Sequence, residues 1–287
     1  MNATPQWMSR SALAALCMVG VALAGCETLD GGKGRANDPT ATRNSTSETN
    51  RPSAPDSSAP QAANPKDRAV IRVQLAYGYF QERQIATALE EVRIALRDDP
   101  SSYQGYNVLA LIQMDLGDNV RAEEAFQRAL RLAPNDPDVN NNYGFFLCRQ
   151  NKTDVAIPYF LNALKDPLYP TPYKPYMNAG LCAQQSNDEK GAEGYFLRAF
   201  SLDPSNQTIS YNLARLYLKR NDLDRATFYN TRLLDDGISA PPEALWLALN
   251  IARRKGDPGS EQSYATQLKR RFPNSAETQR LGLGQFE

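Results

Sequence analysis

No side chain in this sequence titrates near neutral pH by its ordinary chemistry, because the 287 residues include no histidine. That absence removes the commonest general base, the commonest zinc ligand and every Ser-His or Cys-His nucleophile pair together. Paired acids remain at Glu90-Glu91, Asp98-Asp99 and Asp235-Asp236. Each pair falls on the surface or at the end of an expected helix, where water solvates both carboxylates, so none is expected to form a metal or acid–base site. Lys plus Arg number 32 and Asp plus Glu number 32. Such a balance creates no field that draws a chain to nucleic acid. No cofactor, metal, nucleic-acid partner or small-molecule substrate is expected, and neither is catalysis. The remaining reactive atoms are the sulfurs of Cys17, Cys26, Cys148 and Cys182.

Cys26 ends a patterned stretch. One cation at Arg10 precedes an apolar run from Ala12 to Ala24, and the run closes on Leu23-Ala24-Gly25-Cys26. The run is shorter than the roughly 20 apolar residues needed to span a bilayer. It reads instead as a signal peptide over 1–25. Its last four residues resemble the bacterial lipobox, which implies cleavage before Cys26 and acyl chains on that residue. Several chains anchor a protein to a membrane far more firmly than one. Glu27 stands where an Asp would resemble an inner-membrane retention signal, so the expected destination is the outer membrane, on its periplasmic face. Residues 26–66 are rich in Gly, Ser, Thr, Pro, Asn and Asp, with hardly a large apolar side chain after Leu29. That composition cannot bury a core and reads as a disordered tether, with a reach of roughly 35 Å.

Cys148 and Cys182 are the two cysteines left to the mature chain. A disulfide between them is the expectation in an oxidising compartment. Closing a loop of about 35 residues would contribute roughly 3.8 kcal/mol in the chain-entropy model. The alternative is two buried thiols packing as small hydrophobes.

The elements that must position these residues emerge when the chain is cut every 34 residues, with units starting at 69, 103, 137, 173, 207 and 241. The eighth position of each holds Ala76, Ala110, Gly144, Gly180, Ala214 or Ala248. A second small residue follows at Ala88, Ala122, Ala156, Ala192 and Ala226, giving way to Ser260 in the last unit. Val92, Phe126, Phe160 and Phe196 come four residues later, then Ala95, Ala129, Ala163 and Ala199. Small residues let two helices cross closely and the bulky one fills the space beside them. Pro100, Pro134 and Pro204 then stop the second helix, since proline lacks the donor and clashes one turn back. This is the tetratricopeptide period. The expected fold is therefore all-α, a right-handed superhelical solenoid of six tetratricopeptide repeats. They occupy about 69–102, 103–136, 137–172, 173–206, 207–240 and 241–274, within a body of 67–287 that ends in a short tail.

Three irregularities stand out. Between the third and fourth units the spacing lengthens to 36, and Asp166-Pro167-Leu168-Tyr169-Pro170-Thr171-Pro172 reads as a stiff, extended connector. In the sixth unit the second helix is shifted by one residue around Pro258 and ends in Lys269, Arg270 and Arg271, which suits a helix C-terminus and a polar cap. Pro158 is expected within the first turn or so of its helix, where its missing donor costs little.

A binding groove is sought on the first helices, among side chains that packing inside the repeat does not require. In the first repeat Ile71, Leu75, Ala76 and Tyr79 form the expected core stripe. Val70, Val73, Tyr77 and Phe80 form a second apolar stripe on one face. With no preceding repeat to bury it, this second stripe is the candidate partner-binding groove; the competing reading is that the tether or later helices cover it. The matching face of the second and third repeats is mixed: Gln104, Asn107, Leu111, Met114, Asp138, Asn141 and Phe145. Asn140, Asn141 and Asn142 could bind an extended peptide backbone; solvation or helix capping is the favoured reading. A clamp for a terminal carboxylate, built from Lys and Asn at fixed groove positions, is excluded by Val73 and Tyr77, or Asn141 and Phe145, at its first two positions.

The strings Asn141-Asn142-Tyr143-Gly144-Phe145-Phe146-Leu147-Cys148, Asp166 to Pro172 and Asn178-Ala179-Gly180-Leu181-Cys182 carry more than the repeat pattern. They resemble the type IV pilus biogenesis and stability lipoproteins, the PilF/PilW pilotin family, over about Ala69 to Leu281. That resemblance implies an outer-membrane lipoprotein that binds the pilus secretin subunit and promotes its localisation and multimerisation, supporting pilus stability and twitching motility. The alternative is a scaffold lipoprotein of another envelope assembly machine, since fold alone does not fix function.

Overall fold

The computed structural model describes residues 64–234 and 240–286, and every regular element among them is an α-helix. The signal peptide, Cys26 and nearly all of the tether lie outside these residues. Six helix pairs follow one another. Their first members are α1 (Pro65–Gln81), α3 (Tyr103–Asp115), α5 (Pro137–Arg149), α7 (Tyr173–Gln185), α9 (Gln207–Lys219) and α11 (Pro242–Lys255). Their second members are α2 (Ile85–Asp98), α4 (Asn119–Leu132), α6 (Thr153–Ala163), α8 (Glu189–Leu202), α10 (Leu223–Leu234) and α12 (Pro258–Arg271), and α13 (Ala276–Gly282) closes the chain.

Local chemistry sets the helix ends. Ser102, Asp118, Asp136, Asp188, Asn206 and Asp257 each accept a hydrogen bond from a backbone N–H of the first turn, satisfying a donor that the helix leaves unpaired. Between the two helices of every pair sits one residue in the left-handed region: Arg83, Gly117, Asn151, Asn187, Asn221 or Gly256. Glycine and asparagine tolerate that conformation; Arg83 is the exception.

Each helix packs first on its partner, and each later first helix then packs on the second helix of the preceding pair. The first helices of neighbouring pairs also meet at α1·α3, α3·α5, α5·α7 and α9·α11. Contacts are therefore between neighbours, the defining property of a solenoid. The apolar interior is a string of four clusters, centred on Val92, Phe126, Phe196 and Leu249. Ala76, Ala110, Ala214 and the alanines at 88, 122, 156, 192 and 226 are all fully buried. At Gly144 and Gly180 the fit is tighter still, because an added Cβ would lie 2.9 Å from the Phe160 ring and 2.7 Å from the Phe196 ring.

In its helices and connectors the structure differs from the sequence reading at six places. Helix α1 begins at Pro65, before the expected body start, because Asn64 caps it and proline suits the first helical position. Ile71 and Leu75 are 57% and 45% exposed and do not belong to the core: later repeats bury that face on the preceding second helix, and α1 has none among the described residues. Pro158 is the sixth residue of α6, so the missing donor falls in the second turn and deprives the Asp154 carbonyl of its helical partner. The 166–172 connector is turned, not extended: Asp166 accepts from the Leu168 and Tyr169 backbone N–H groups, and Tyr169 is buried. The expected tail contains α13, capped by Ser275 and packed on α11 and α12.

The sixth difference concerns register. The left-handed residue falls 14 positions after the unit start in five repeats and 15 after it in the sixth, at Gly256 and 241. The shift thus covers the whole first helix, and Leu249, not Ala248, stands at the crossing. Leu249 clusters with Leu268 and Ala265. Large and small residues have exchanged sides there, which conserves volume across the contact.

Candidate functional site

Helix α1 divides the four residues of the expected groove into two sets. Val70 and Tyr77 are 54% and 45% exposed. Val73 is buried with Ala69, Ala76, Val92 and Ile112, and Phe80 is half-buried against the same cluster. The cause is the contact of α3 with α1, which covers the flank that carries Val73. Val70 and Tyr77 share one face of α1, one side of the buried stripe, while Ile71 and Leu75, also exposed, lie about 100–160° further round the helix. On the side of Leu75, α1 is tied to α2 by the ion pairs Arg68–Asp98 at 3.2 Å and Arg72–Glu91 at 2.7 Å.

The asparagine triplet of α5 faces two ways. Asn140 is buried and donates to the carbonyls of Pro134 at 2.9 Å and Asp136 at 2.8 Å, while its Oδ1 accepts from Asn162 at 2.9 Å. It fastens the loop that precedes α5. Asn141 and Asn142 instead join neighbouring first helices. The Asn142 amide donates to Asn107 Oδ1 at 3.2 Å, the Asn141 amide to Asn142 Oδ1 at 3.3 Å and the Asn178 amide to Asn141 Oδ1 at 2.9 Å. The triplet is therefore not a set of N-caps, and only Asn142 keeps contact with solvent: Asn140 locks a loop, and Asn141 and Asn142 belong to an amide row across α3, α5 and α7. The signal available in the sequence was the recurrence of Asn142, Asn178 and Asn212 at the sixth position of successive units.

One turn beyond that row, four consecutive first helices present a partly exposed apolar side chain: Tyr77, Leu111, Phe145 and Leu181. The fifth, α9, presents Arg215 at the same position, exposed and lying over the Tyr211 ring at 5.8 Å. Arg149 on α5 and Lys174 on α7 are also exposed, and none of these three cations has a carboxylate partner among the described residues. The first-helix surface thus changes along its length from apolar to basic.

The junction between the third and fourth repeats is held at both ends. The sulfurs of Cys148 on α5 and Cys182 on α7 lie at bonding distance, 2.32 Å, with Cα atoms 5.6 Å apart. At the other end, the Tyr169 hydroxyl donates to Asp138 at 2.8 Å. Burial first, and then the neighbouring Asp138, push that phenol well above its ordinary range. A charged network ties the next three helices: Glu193 of α8 accepts from the Tyr217 hydroxyl at 2.6 Å and pairs with Arg220 and Arg225. The Tyr217 bond, then the two arginines, hold the Glu193 carboxyl below its usual range. Burial and Glu193 push Tyr217 up to about 12. Among the described residues no group of three His, Cys, Asp or Glu side chains could hold a metal ion, and no helix is long and apolar enough to cross a membrane.

Comparison with known proteins agrees with this geometry. The tetratricopeptide repeat family pattern matches residues 73–137 and 178–241. The type IV pilus assembly protein PilF of Pseudomonas aeruginosa is 30% identical over 207 residues, covering 72% of this chain and 82% of that protein. The crystal structure of PilW, described as a widely conserved type IV pilus biogenesis factor, is 32% identical with a TM-score of 0.69, covering 74% of this chain and 97% of that one. The structure of P. aeruginosa PilF superposes with a TM-score of 0.68 at 28% identity, covering 77% of this chain and 99% of that one. A six-repeat solenoid that shares its sequence and nearly the full length of both structures with these assembly factors is a member of the PilF/PilW family of type IV pilus assembly proteins.

Proposed function

We propose that this protein acts in type IV pilus biogenesis by binding the pilus secretin subunit and promoting its localisation and multimerisation. It does so as a binding module, not as an enzyme. Acyl chains on Cys26 hold it at the periplasmic face of the outer membrane, and residues 26–63 tether the repeat body to that anchor. In the oxidising periplasm Cys148 and Cys182 are bonded.

The observation that carries this reading is the exposed apolar pair Val70 and Tyr77 on one face of the first repeat of a pilus-family solenoid. Apolar side chains left exposed among the described residues in this way are the kind of feature that serves as a contact surface. Replacing both Val70 and Tyr77 with Asp is expected to abolish co-purification of the secretin from detergent-solubilised outer membrane, while helicity is retained because neither side chain is in the core. Unchanged recovery of the secretin would reject this surface. Deletion of the gene is expected to remove secretin multimers and surface pili; normal levels of both would reject the pilotin role itself.

A further inference from the structure

We infer that α1 receives an amphipathic helix from another protein, which lies across Ile71, Leu75 and Tyr79 and completes the array at its N-terminal end. This face is separate from that of Val70 and Tyr77, and its occupant need not be the secretin.

Burial along the array shows that the face is incomplete. Ile71, Leu75 and Tyr79 are the third, seventh and eleventh residues of their unit. In the fifth unit the same places hold Ile209, Leu213 and Tyr217, an identical trio whose members are at most 2% exposed. On α1 the first two are 57% and 45% exposed. Helix α8 makes the difference, because it packs on α9, whereas no described helix precedes α1.

The helices that cover such faces share a pattern. On α8, Glu193 accepts from the Tyr217 hydroxyl at 2.6 Å, Phe196 is buried among the α9 trio, and Phe200 packs on the same cluster. On α4, Glu123 accepts from the Tyr143 hydroxyl of α5, Phe126 meets the Tyr143 ring at 5.6 Å, and Leu130 packs beside them. A glutamate, a phenylalanine three residues on and a large apolar side chain seven residues on fall on one helical face. That face is what the trio on α1 matches, with Tyr79 standing where Tyr217 donates to its glutamate.

The source of the helix follows by elimination. The tether cannot supply it, because residues 27–63 hold one large apolar side chain, Leu29. A second copy has no such face to spare: each second helix from α2 to α10 is already packed against the next first helix, and α12 against α13. A helix of a different chain remains.

A fluorophore-labelled 14-residue peptide with the α8 sequence supplies the test, stapled on its outer face because a helix this short is marginal in water. It carries Glu189→Lys, since Glu82 on α1 stands where Arg220 on α9 pairs with Glu189. Full-length protein in detergent micelles is titrated into the peptide, with protein-free micelles as the baseline. Saturable binding is expected. Ile71→Gln together with Leu75→Gln should weaken it about tenfold or more, while circular dichroism stays unchanged because both side chains are exposed. Phe196→Gln in the peptide should weaken binding to a similar degree. Leu283→Gln in the protein, exposed near the C-terminal end of the array, should leave it unaltered. No binding above the micelle baseline, full binding by the Ile71 and Leu75 variant, indifference to Phe196→Gln, or an equal loss with Leu283→Gln would each overturn the inference. So would a dimer of the protein that the Ile71 and Leu75 changes dissolve, because the occupant would then be a second copy.

Discussion

At Gly180 the chain has no room for a methyl group, and at Gly194 it has ample room. A Cβ on Gly180 would lie 2.7 Å from the buried Phe196 ring, whereas one on Gly194, in the exposed middle of α8, would meet nothing within 4 Å. Gly180→Ala is therefore expected to lower stability by about 1–2 kcal/mol, the overpacking cost outweighing the better helix propensity. Gly194→Ala should raise it by about 1 kcal/mol. Urea unfolding midpoints check both, and a stabilising Gly180→Ala would mean the Phe196 ring yields freely. The residue types at the first five crossings were legible in the sequence because steric demand there leaves only Ala or Gly. The sidedness of α1 was not. Val73 and Phe80 read as surface, and Ile71 and Leu75 as core, because an apolar circumference records that both sides of a helix can be buried and omits which neighbour is present.

Within an element, position decides what a residue costs. Gly117 ends α3 in the left-handed region at φ 79°, with open space around it. Gly117→Ala should therefore cost about 1–2 kcal/mol through backbone strain alone. Pro158 presents the reverse case, an exposed proline in the second turn of α6 that has no N–H to offer the Asp154 carbonyl one turn back. Pro158→Ala is expected to raise the melting temperature, by the equivalent of about 1–2 kcal/mol once the loss of proline's stiffness in the unfolded chain is subtracted. A lower melting temperature would show that the ring makes packing contacts worth more than the missing bond. The six helix pairs and their punctuation were visible from period, proline and glycine. The one-residue slip of α11 was placed too late in the chain, because Ala248 satisfied the consensus by composition while Leu249 occupied the crossing in space. Tyr169 was likewise hidden: the Pro-rich string signals stiffness, and only the tertiary position of Asp138 shows why the connector folds inward.

Across the whole molecule, stability should fall at both extremes of pH. Tyr217 is raised from 10.0 to about 12, so its contribution is complete below pH 10 and is lost as pH climbs towards 12. Glu193 is lowered from 4.5, so its contribution is complete above that value and is lost as pH falls below it. Denaturation followed by circular dichroism should show both losses, and Tyr217→Phe should flatten the alkaline limb; an unchanged limb would mean that ionisation of Tyr217 is not what drives it. Neighbour-only contacts give the array its fold from local rules, which is why a 34-residue period sufficed to read it. The amide row and the apolar-to-basic gradient arise between repeats, where no single repeat's pattern displays them.

The junction where the Cys148 and Cys182 sulfurs meet acquires a further meaning once the body is regarded as something that can be pulled. Neighbour-only packing lets a stretched solenoid peel from its ends, repeat by repeat, but the proposed covalent tie between residues 148 and 182 would remove the enclosed segment from the extensible length. A protein stretched to full extension in an optical trap should come up short by roughly 120 Å, the span of 34 residues at about 3.5 Å each. Reductant should restore that length. The middle of the array would then act as a mechanical stop, limiting how far a load can lengthen the repeat body.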